Sequence, residues 1–363
     1  MKKEKRIFIA ATRQNDGKTV VSLGLVMALK KRFKNVGFIK PVGQKYIVVD
    51  GEKIDKDAVL IKRVCGLENK LKDINPIAVG EGFTSRYLES PNREELCKRI
   101  EKSYNAVAEG MDFVVIEGTG HAGVGSVFDL SNASVASLLK SKVILISIGG
   151  IGKPIDEIAL NKVFFEKSKV PIKGIIINKV LKEKIQTSEK YLGKGLKRMN
   201  LKLVGLIPYV PKLSHPTILQ ICEILNGKVL AGENKLSREF DNIIVGAMTP
   251  RHAIDYFKPN SLLITPGDRE DLILAAITYC TTQELQCNII PGIILTGGLY
   301  PHKAILTLIK KSDIPTILCS NGTYDVATKI NELVVKIREQ DTDKIKVVQN
   351  LIEENIDIEG IIS

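Results

Sequence analysis

Lys18 and Thr19 are the residues whose types and spacing point most directly to chemistry. With Gly17 they close the run Thr12-Arg13-Gln14-Asn15-Asp16-Gly17-Lys18-Thr19-Val20. That polar turn lies between a β-branched and aromatic run, Ile7-Phe8-Ile9, and an apolar helical pattern reaching Leu29. Strand, tight loop and helix in this order make a phosphate-binding loop. Backbone N–H groups and the positive end of the helix dipole converge on an anion there. The lysine bridges the outer phosphates, and the threonine hydroxyl holds a Mg²⁺ that neutralises them. The usual pattern has Gly five residues before Gly17, where this chain has Thr12. Taken alone, the motif also reads as an ordinary helix start with an exposed lysine.

The elements that would serve this loop follow in chain order. A strand over Val36-Gly37-Phe38-Ile39 ends in Lys40-Pro41. A lysine at the carboxyl end of a parallel strand stands on the ligand side of the sheet, although a surface lysine beside a turn proline is the blander reading. Asp55, Lys56 and Asp57 open a helix, and capping alone explains acids at a first turn. Asp112-Phe113-Val114-Val115-Ile116-Glu117 reads as a buried strand delivering a carboxylate to the sheet edge. Such a carboxylate needs a partner, and a metal ion opposite the phosphate loop is one. His121, in the glycine-rich loop behind it, reads as a hydrogen-bonded structural residue or a substrate contact. Strands over residues 143–147 and 172–177 come next. The second ends at Asn178-Lys179, placed to read a base edge. A strand at 204–208 ends in Pro208-Tyr209, a stiffened loop suited to walling a base pocket.

Composition narrows the classes. The chain has 363 residues, 44% hydrophobic, with a formal net charge of +12 and no Trp. That length supports two cores. Strands alternate with helical patterns almost to the end, so the expected fold class is α/β. The lysines are scattered rather than blocked, and aromatics make up 5% of the chain. Stacking platforms for nucleic acid are therefore not expected, and anionic metabolites are. Cys65, Cys97, Cys222, Cys280, Cys287 and Cys319 show no CxxC spacing and read as reduced, mostly buried thiols. The opening apolar run is broken at once by Arg13 to Asp16, unlike a signal peptide. No apolar run approaches the roughly 20 residues that span a bilayer. A cytoplasmic protein without a membrane partner is the expectation.

The pattern weakens over residues 212–240, read here as a linker with one short helix and the domain boundary inside it. Residues 241–363 then resume as a second βα repeat with its own parallel sheet. Within it, Gly267-Asp268-Arg269 opens a helix and Thr296-Gly297-Gly298 follows a strand. Both loops fall on the carboxyl edge, where α/β sheets bind ligands. Asp268 as a plain helix cap and the glycines as plain turns are the competing reading.

Several of these stretches together resemble dethiobiotin synthetase-like P-loop proteins. Thr12 to Thr19, Lys40-Pro41, Asp57-Ala58, Ile74-Asn75-Pro76, Glu117-Gly118, Asn178 and Gly205-Leu206-Ile207-Pro208 carry that resemblance, which covers residues 1–211. It implies a nucleotide site built from Thr12, Arg13, Asn15, Asp16, Gly17, Lys18, Thr19, Val20, Asn178 and Pro208. It also implies Mg²⁺ on Thr19, Asp57 and Glu117, with Lys18, Lys40 and Glu117 in catalytic roles. Lys40 would meet a substrate carboxylate or carbamate, and Asn178 the base. Departures fall on the acceptor side: Gly43-Gln44-Lys45 follows the Lys-Pro pair, and the glutamate loop reads EGTGHAGVGS. That loop and LIPYVPKLSHPT look closer to the non-catalytic N-terminal region of long bacterial phosphotransacetylases. Arg13 stands where partition-type ATPases carry a second lysine that reaches a phosphate across a dimer. GAMTPRHAIDYF, ITPGDREDLILAAI and ILTGGLYP resemble the DRTGG domain, which implies regulation or dimerisation.

The resemblance therefore implies ATP and Mg²⁺ as cofactors and a homodimer. It also implies a small-molecule effector at Asp268, Arg269, Thr296, Gly297 and Gly298, without acetyl transfer by this chain alone. Three activities stay open: a nucleotide-dependent regulatory ATPase, an ATP-dependent ligase, and a scaffold with structural nucleotide. Asp16 is a secondary candidate for orienting a hydrolytic water.

Overall fold

A computed structural model describes residues 5–282, 289–333 and 335–363. The chain divides into two compact units, Met1–Val210 with Ile337–Ser363, and Pro211–Lys336. The first is built on six strands: β1 (Lys5–Ala11), β2 (Val36–Ile39), β3 (Phe113–Glu117), β4 (Lys142–Ile148), β5 (Ile172–Val180) and β6 (Leu203–Pro208). Their order across the sheet is β6-β5-β4-β1-β3-β2, and every neighbouring pair is parallel. A parallel sheet is covered on both faces, which explains the near-continuous Ile and Val runs. Phe113 to Glu117, for example, are all buried.

Helix α1 (Lys18–Lys30) follows β1 directly. Its Leu23, Leu25, Val26, Ala28 and Leu29 are fully buried, a nearly all-round apolar surface that needs cover beyond the sheet. The cover comes from the far end of the chain. Helix Thr342–Asn355 crosses α1 so closely that a Cβ on Gly24 would lie 2.2 Å from Ile352 Cγ1. Val348 and Ile352 are themselves fully buried. The Asp357 N–H then donates to Val204 O at 2.7 Å, joining the tail to β6. Ion pairs Lys31–Glu353, Arg32–Glu359 and Lys202–Asp357 rim the contact. Residues 337–363 thus complete the first unit, although the sequence pattern alone assigns them to the second domain.

The second unit carries β7 (Lys228–Ala231), β8 (Asn242–Val245), β9 (Ser261–Pro266), β10 (Ile293–Thr296) and β11 (Thr316–Leu318). Their order is β7-β11-β10-β9-β8, with β7 antiparallel to β11 and the rest parallel. The stretch expected as a linker is therefore structured. Helix Ile218–Ile224 starts at a capping box of Thr217 and Gln220. Its Ile218 and Ile221 are fully buried among Leu262, Ile264, Ile294 and Ile317, so packing decides what the polar stretch after Leu225 conceals. A second cluster around Leu263, Ile273, Ile293 and Leu295 packs the opposite face.

Cys65, Cys222, Cys280 and Cys319 are buried and Cys97 half-buried, all as free thiols; Cys287 lies outside the described residues. Burial pushes the Cys65 thiol up to about 12 against the weaker pull of Lys30, so it stays protonated. Among the described residues no helix is long and apolar enough to cross a membrane.

Candidate phosphate-binding site

Five neighbouring strands deliver polar side chains to one carboxyl edge. Lys40 follows β2, Glu117 ends β3, Thr12 follows β1, and Ser147 and Asn178 lie near the ends of β4 and β5. Register fixes the row: Ile9 pairs with Glu117, and Ile148 with Asn178. The chain reverses direction about β1 here, first to β2 and β3 and then to β4, which is where open α/β sheets form a ligand crevice.

The loop itself is tied from below. The Thr12 hydroxyl lies 2.9 Å from Asp16 Oδ2, 3.0 Å from Ser147 Oγ and 3.2 Å from Glu157 Oε2. The Arg13 N–H donates to Asp16 Oδ2 at 2.9 Å. Thr12, standing in place of the usual glycine, is thus a buried hydroxyl that anchors the turn. Burial raises Asp16 above the ordinary carboxylate range, opposed by its bonds from Thr12 and Arg13 and by the charges of Arg13 and Lys18. The Arg13 guanidinium meets Glu157 within its own chain, Nε to Oε2 3.1 Å, without hydrogen-bond alignment. Asn15 turns the loop with φ of 65°.

Gly17 precedes α1 as its N-cap with φ of 99°, and a Cβ there would clash with Asn178 Nδ2. Only glycine suits that left-handed, crowded position. Asn178 crowds it because its amide donates to Asp16 O at 2.8 Å, while its Oδ1 accepts the Lys179 N–H at 2.9 Å. One donor of the carboxamide therefore braces the loop while its oxygen holds the neighbouring Lys179 N–H, and a base contact would use the remaining donor and lone pair. No side chain caps α1, and its first turn holds no acid. The N–H groups at the start of α1, around Lys18, Thr19 and Val20, lack a side-chain acceptor, the condition for anion binding.

Lys18 forms no hydrogen bond or ion pair among the described residues. Burial lowers its ammonium to about 8; Glu117, Asp16 and Asp57 pull the other way and Lys40 adds to the lowering. The Thr19 hydroxyl reaches Glu117 Oε1 at 3.3 Å. Lys40 is 4% exposed, which rules out the surface-lysine reading. Its Nζ sits 2.6 Å from Asp57 Oδ2, 3.0 Å from Asp55 Oδ1 and 3.0 Å from Glu117 Oε1. Burial works against the ammonium, but Glu117, Asp57 and Asp55 outweigh it and hold Lys40 well above its usual range. Thr19, Asp57 and Glu117, distant in sequence, are thus brought to one cluster around Lys40.

Asp55 and Asn75 organise that cluster, and sequence reasoning gave neither a role there. Asp55 caps helix α2 (Lys56–Cys65) through the Asp57 N–H and accepts the Gln44 and Lys45 N–H groups at 3.0 and 3.2 Å. Asn75 accepts the Asp55 N–H at 2.8 Å and donates to Lys40 O at 2.8 Å. A signal for Asp55 existed. Asp50-Gly51 turns with φ of 51° and 79°, closing a hairpin of Tyr46–Val49 and Glu52–Asp55 that sets Asp55 opposite Tyr46. Glu157, on the helix α3 (Gly152–Lys167), carries no such signal. His121 is exposed, and its Nδ1 accepts the Gly123 N–H at 3.2 Å. Pro208 lies in β6, paired with Val180.

In the second unit the expected ligand residues also converge. Gly267 N–H donates to Thr296 O, Gly297 N–H to Asn321 O, and Thr296 Oγ1 lies 2.7 Å from Thr323 Oγ1. Asp268 is exposed beside them. Gly298 N–H donates to Cys319 O. Arg269, however, is engaged within the fold: it pairs with Asp271 at 2.9 and 3.0 Å and donates to Gly246 O and Met248 O.

A parallel sheet with a lysine-bearing loop and an uncapped helix at its crevice defines the first unit as a P-loop NTPase-like domain. The chain belongs to the AAA domain family AAA_26, whose sequence model matches residues 5–217; a DRTGG domain matches residues 220–333. A phosphate acetyltransferase of Pseudomonas putida is 28% identical over 96% of this chain and 50% of the relative. The chain spans about half the length of the curated relatives it matches. A putative plasmid partition protein from Borrelia burgdorferi bound to AMPPNP is similar in structure at 18% identity and TM-score 0.39, covering 58% of this chain and 90% of that one. The CBS and DRTGG regulatory region of Clostridium perfringens pyrophosphatase, in complex with diadenosine tetraphosphate, matches at 21% identity and TM-score 0.27, covering 37% of this chain and 59% of that one.

Proposed function

We propose that the first unit binds ATP with Mg²⁺ and that the chain is a nucleotide-dependent regulatory or sensor ATPase. The observation that carries this reading is a set of unsatisfied groups at one crevice. Among the described residues the Lys18 ammonium has no hydrogen bond or ion pair, α1 has no side-chain cap, and Glu117 Oε2 is buried without a hydrogen bond. A buried orphan carboxylate oxygen beside a threonine hydroxyl fits a hard cation. Mg²⁺ takes one or two carboxylates together with substrate phosphates. Thr19, Asp57 and Glu117 would hold the ion, which when bound would neutralise the phosphate oxygens.

In this reading Lys18 and the start of α1 bind the phosphates, Asn178 and Pro208 border the base, and Thr12 and Asp16 keep the loop in its binding form. Asp16 Oδ2 is occupied by Thr12 and Arg13, so orienting a water would fall to Oδ1, which lies 3.9 Å from Arg13 Nε. A ligase would need a lysine free for its acceptor, and the enclosure of Lys40 by three carboxylates weighs against that alternative. The second unit would serve as the regulatory or dimerising part, with any small effector at the loops around Asp268 and Thr296. Isothermal titration with Mg-ATP tests the core of the proposal: the wild-type chain binds, and Lys18→Ala does not. Phosphate release in single turnover without any acceptor separates the ATPase from the ligase, whose release an acceptor would stimulate. Tight binding with no release would support the structural-nucleotide reading.

A further inference from the structure

Lys40 is more deeply enclosed than binding a substrate would require. Asp55, Asp57 and Glu117 are 2%, 7% and 0% exposed, and each has one oxygen within 3.0 Å of the same Nζ. Three carboxylates stay ionised in so small a buried volume only with a cation among them. The lysine supplies that cation from within the chain. It also stands on the carboxylates that a divalent ion would use, bonded to Asp57 Oδ2 and to Glu117 Oε1, which the Thr19 hydroxyl shares, while Glu117 Oε2 is left without a hydrogen bond. An ion bound about 2.0–2.1 Å from any of these carboxylate oxygens would lie close to an ammonium on the same carboxylates, and the two cations repel each other strongly at that range in a buried site. Building on the nucleotide-binding reading above, we propose that Lys40 is a tethered counter-cation, occupying the carboxylate cluster in place of a divalent ion until nucleotide arrives.

Asn75 and Asp55 make the arrangement durable. Asn75 fixes the Lys40 carbonyl and the Asp55 N–H together, so the lysine and one of its three carboxylate partners are held by one buried carboxamide. The consequence is conditional metal binding. Without nucleotide, a divalent ion has to displace a covalently attached competitor from a buried site. With nucleotide, phosphate oxygens give the metal further ligands and give the ammonium new acceptors. Lys40 is on this account a positioning residue for the carboxylates and a gate for the ion.

The test uses Mn²⁺ as the probe, followed by its free-ion electron paramagnetic resonance signal, on the full chain without nucleotide. Wild type and Lys40→Arg should bind weakly, and Lys40→Met should bind more tightly, on the order of a hundredfold. Adding Glu117→Gln to Lys40→Met should remove the gain. Equal affinity in wild type and a folded Lys40→Met overturns the proposal, as does a tight wild-type site that Glu117→Gln abolishes. If Lys40→Met folds only with Mn²⁺ present, seen as a cooperative melt that the ion restores, the proposal is supported. If that variant stays unfolded even with Mn²⁺, the wild-type titration decides: weak binding sustains the proposal and a tight, Glu117-dependent site overturns it. Failure of the nucleotide reading looks different: the wild type then binds no Mg-ATP, while the Mn²⁺ gain in Lys40→Met is still measured.

Discussion

The carboxyl edges of the two sheets invite comparison, because each presents glycine-containing loops, a charged residue at a helix start and a threonine near a strand end. At the first edge the fold leaves groups unsatisfied among the described residues: Lys18 without a hydrogen bond or ion pair, α1 without a side-chain cap, Glu117 Oε2 without a donor. At the second it satisfies them. Arg269 is held by Asp271 and two carbonyls, and Glu270 Oε1 accepts the His302 N–H. Leaving such groups unmet costs stability. On the proposed reading a ligand meets them at the first edge, whereas the second is largely closed on itself.

The largest effect that would break this contrast is at Lys18. Lys18→Ala should weaken Mg-ATP binding at least about a hundredfold, close to 3 kcal/mol, by calorimetry. A loss under threefold would remove the first edge's claim to be a phosphate site. Next is the packing that ties α1 to the tail. Gly24→Ala places a Cβ 2.2 Å from Ile352 Cγ1, so helix Thr342–Asn355 must shift. Overpacking of this kind destabilises by about 1–3 kcal/mol. Urea unfolding should register it, and limited proteolysis should cut the 337–363 segment faster. Unchanged proteolysis would show that the tail does not depend on that contact.

That tail also marks where the sequence stops being legible. The Gly17-Lys18-Thr19 turn, the buried strand ending in Glu117 and the alternation of strands and helices are legible from local pattern: a motif, a buried run ending in a carboxylate, turn residues at strand ends. Lys40 and Asp57 stand out only through the family resemblance, since a surface lysine and a helix cap explain them locally. Residues 337–363 are not legible, since an amphipathic helix records that it needs a partner without recording which one. Val348 and Ile352 would suit either sheet. The clue lay elsewhere, in an α1 apolar on nearly every side. The antiparallel strand Lys228–Ala231 was hidden for a similar reason, being a short edge strand flanked by polar residues. Asp55 escaped notice because its helix-capping role is sufficient by itself, and only the hairpin register brings it to Lys40.

Lys18 also gives the first edge a pH signature. Its ammonium is lowered to about 8, below the ordinary lysine value, so the uncomplexed site loses its charge above that pH. Phosphate favours the charged form, so binding at pH 9 should take up protons, and affinity should fall by about tenfold for each unit above 8 until the bound-state value is reached. The folding linkage has the opposite sense. The unfolded chain holds the proton more tightly between about 8 and the ordinary lysine value, so this group's contribution to stability rises with pH across that window. Lys18→Arg should keep its charge and flatten the affinity profile between pH 7 and 9; a wild-type profile equally flat would remove the partnerless ammonium from the comparison.

The smallest effect tests the second edge. If Arg269 is a structural tie, Arg269→Ala removes a surface ion pair with Asp271 and two bonds to the carbonyls of Gly246 and Met248. Exposed pairs contribute about 0–1 kcal/mol and each hydrogen bond about 1, so the second unit should lose about 1–2 kcal/mol in urea unfolding. Arg269→Lys should recover only part of this, because an ammonium cannot meet a carboxylate and two carbonyls with the guanidinium's fixed fork. Mg-ATP affinity at the first edge should remain within twofold of wild type. The informative failure is the reverse pattern, with stability unchanged and affinity for a titrated anion such as inorganic phosphate lost from the second unit. Arg269 would then exchange its internal partners for a ligand, and the second edge would join the first as a site kept open by the fold.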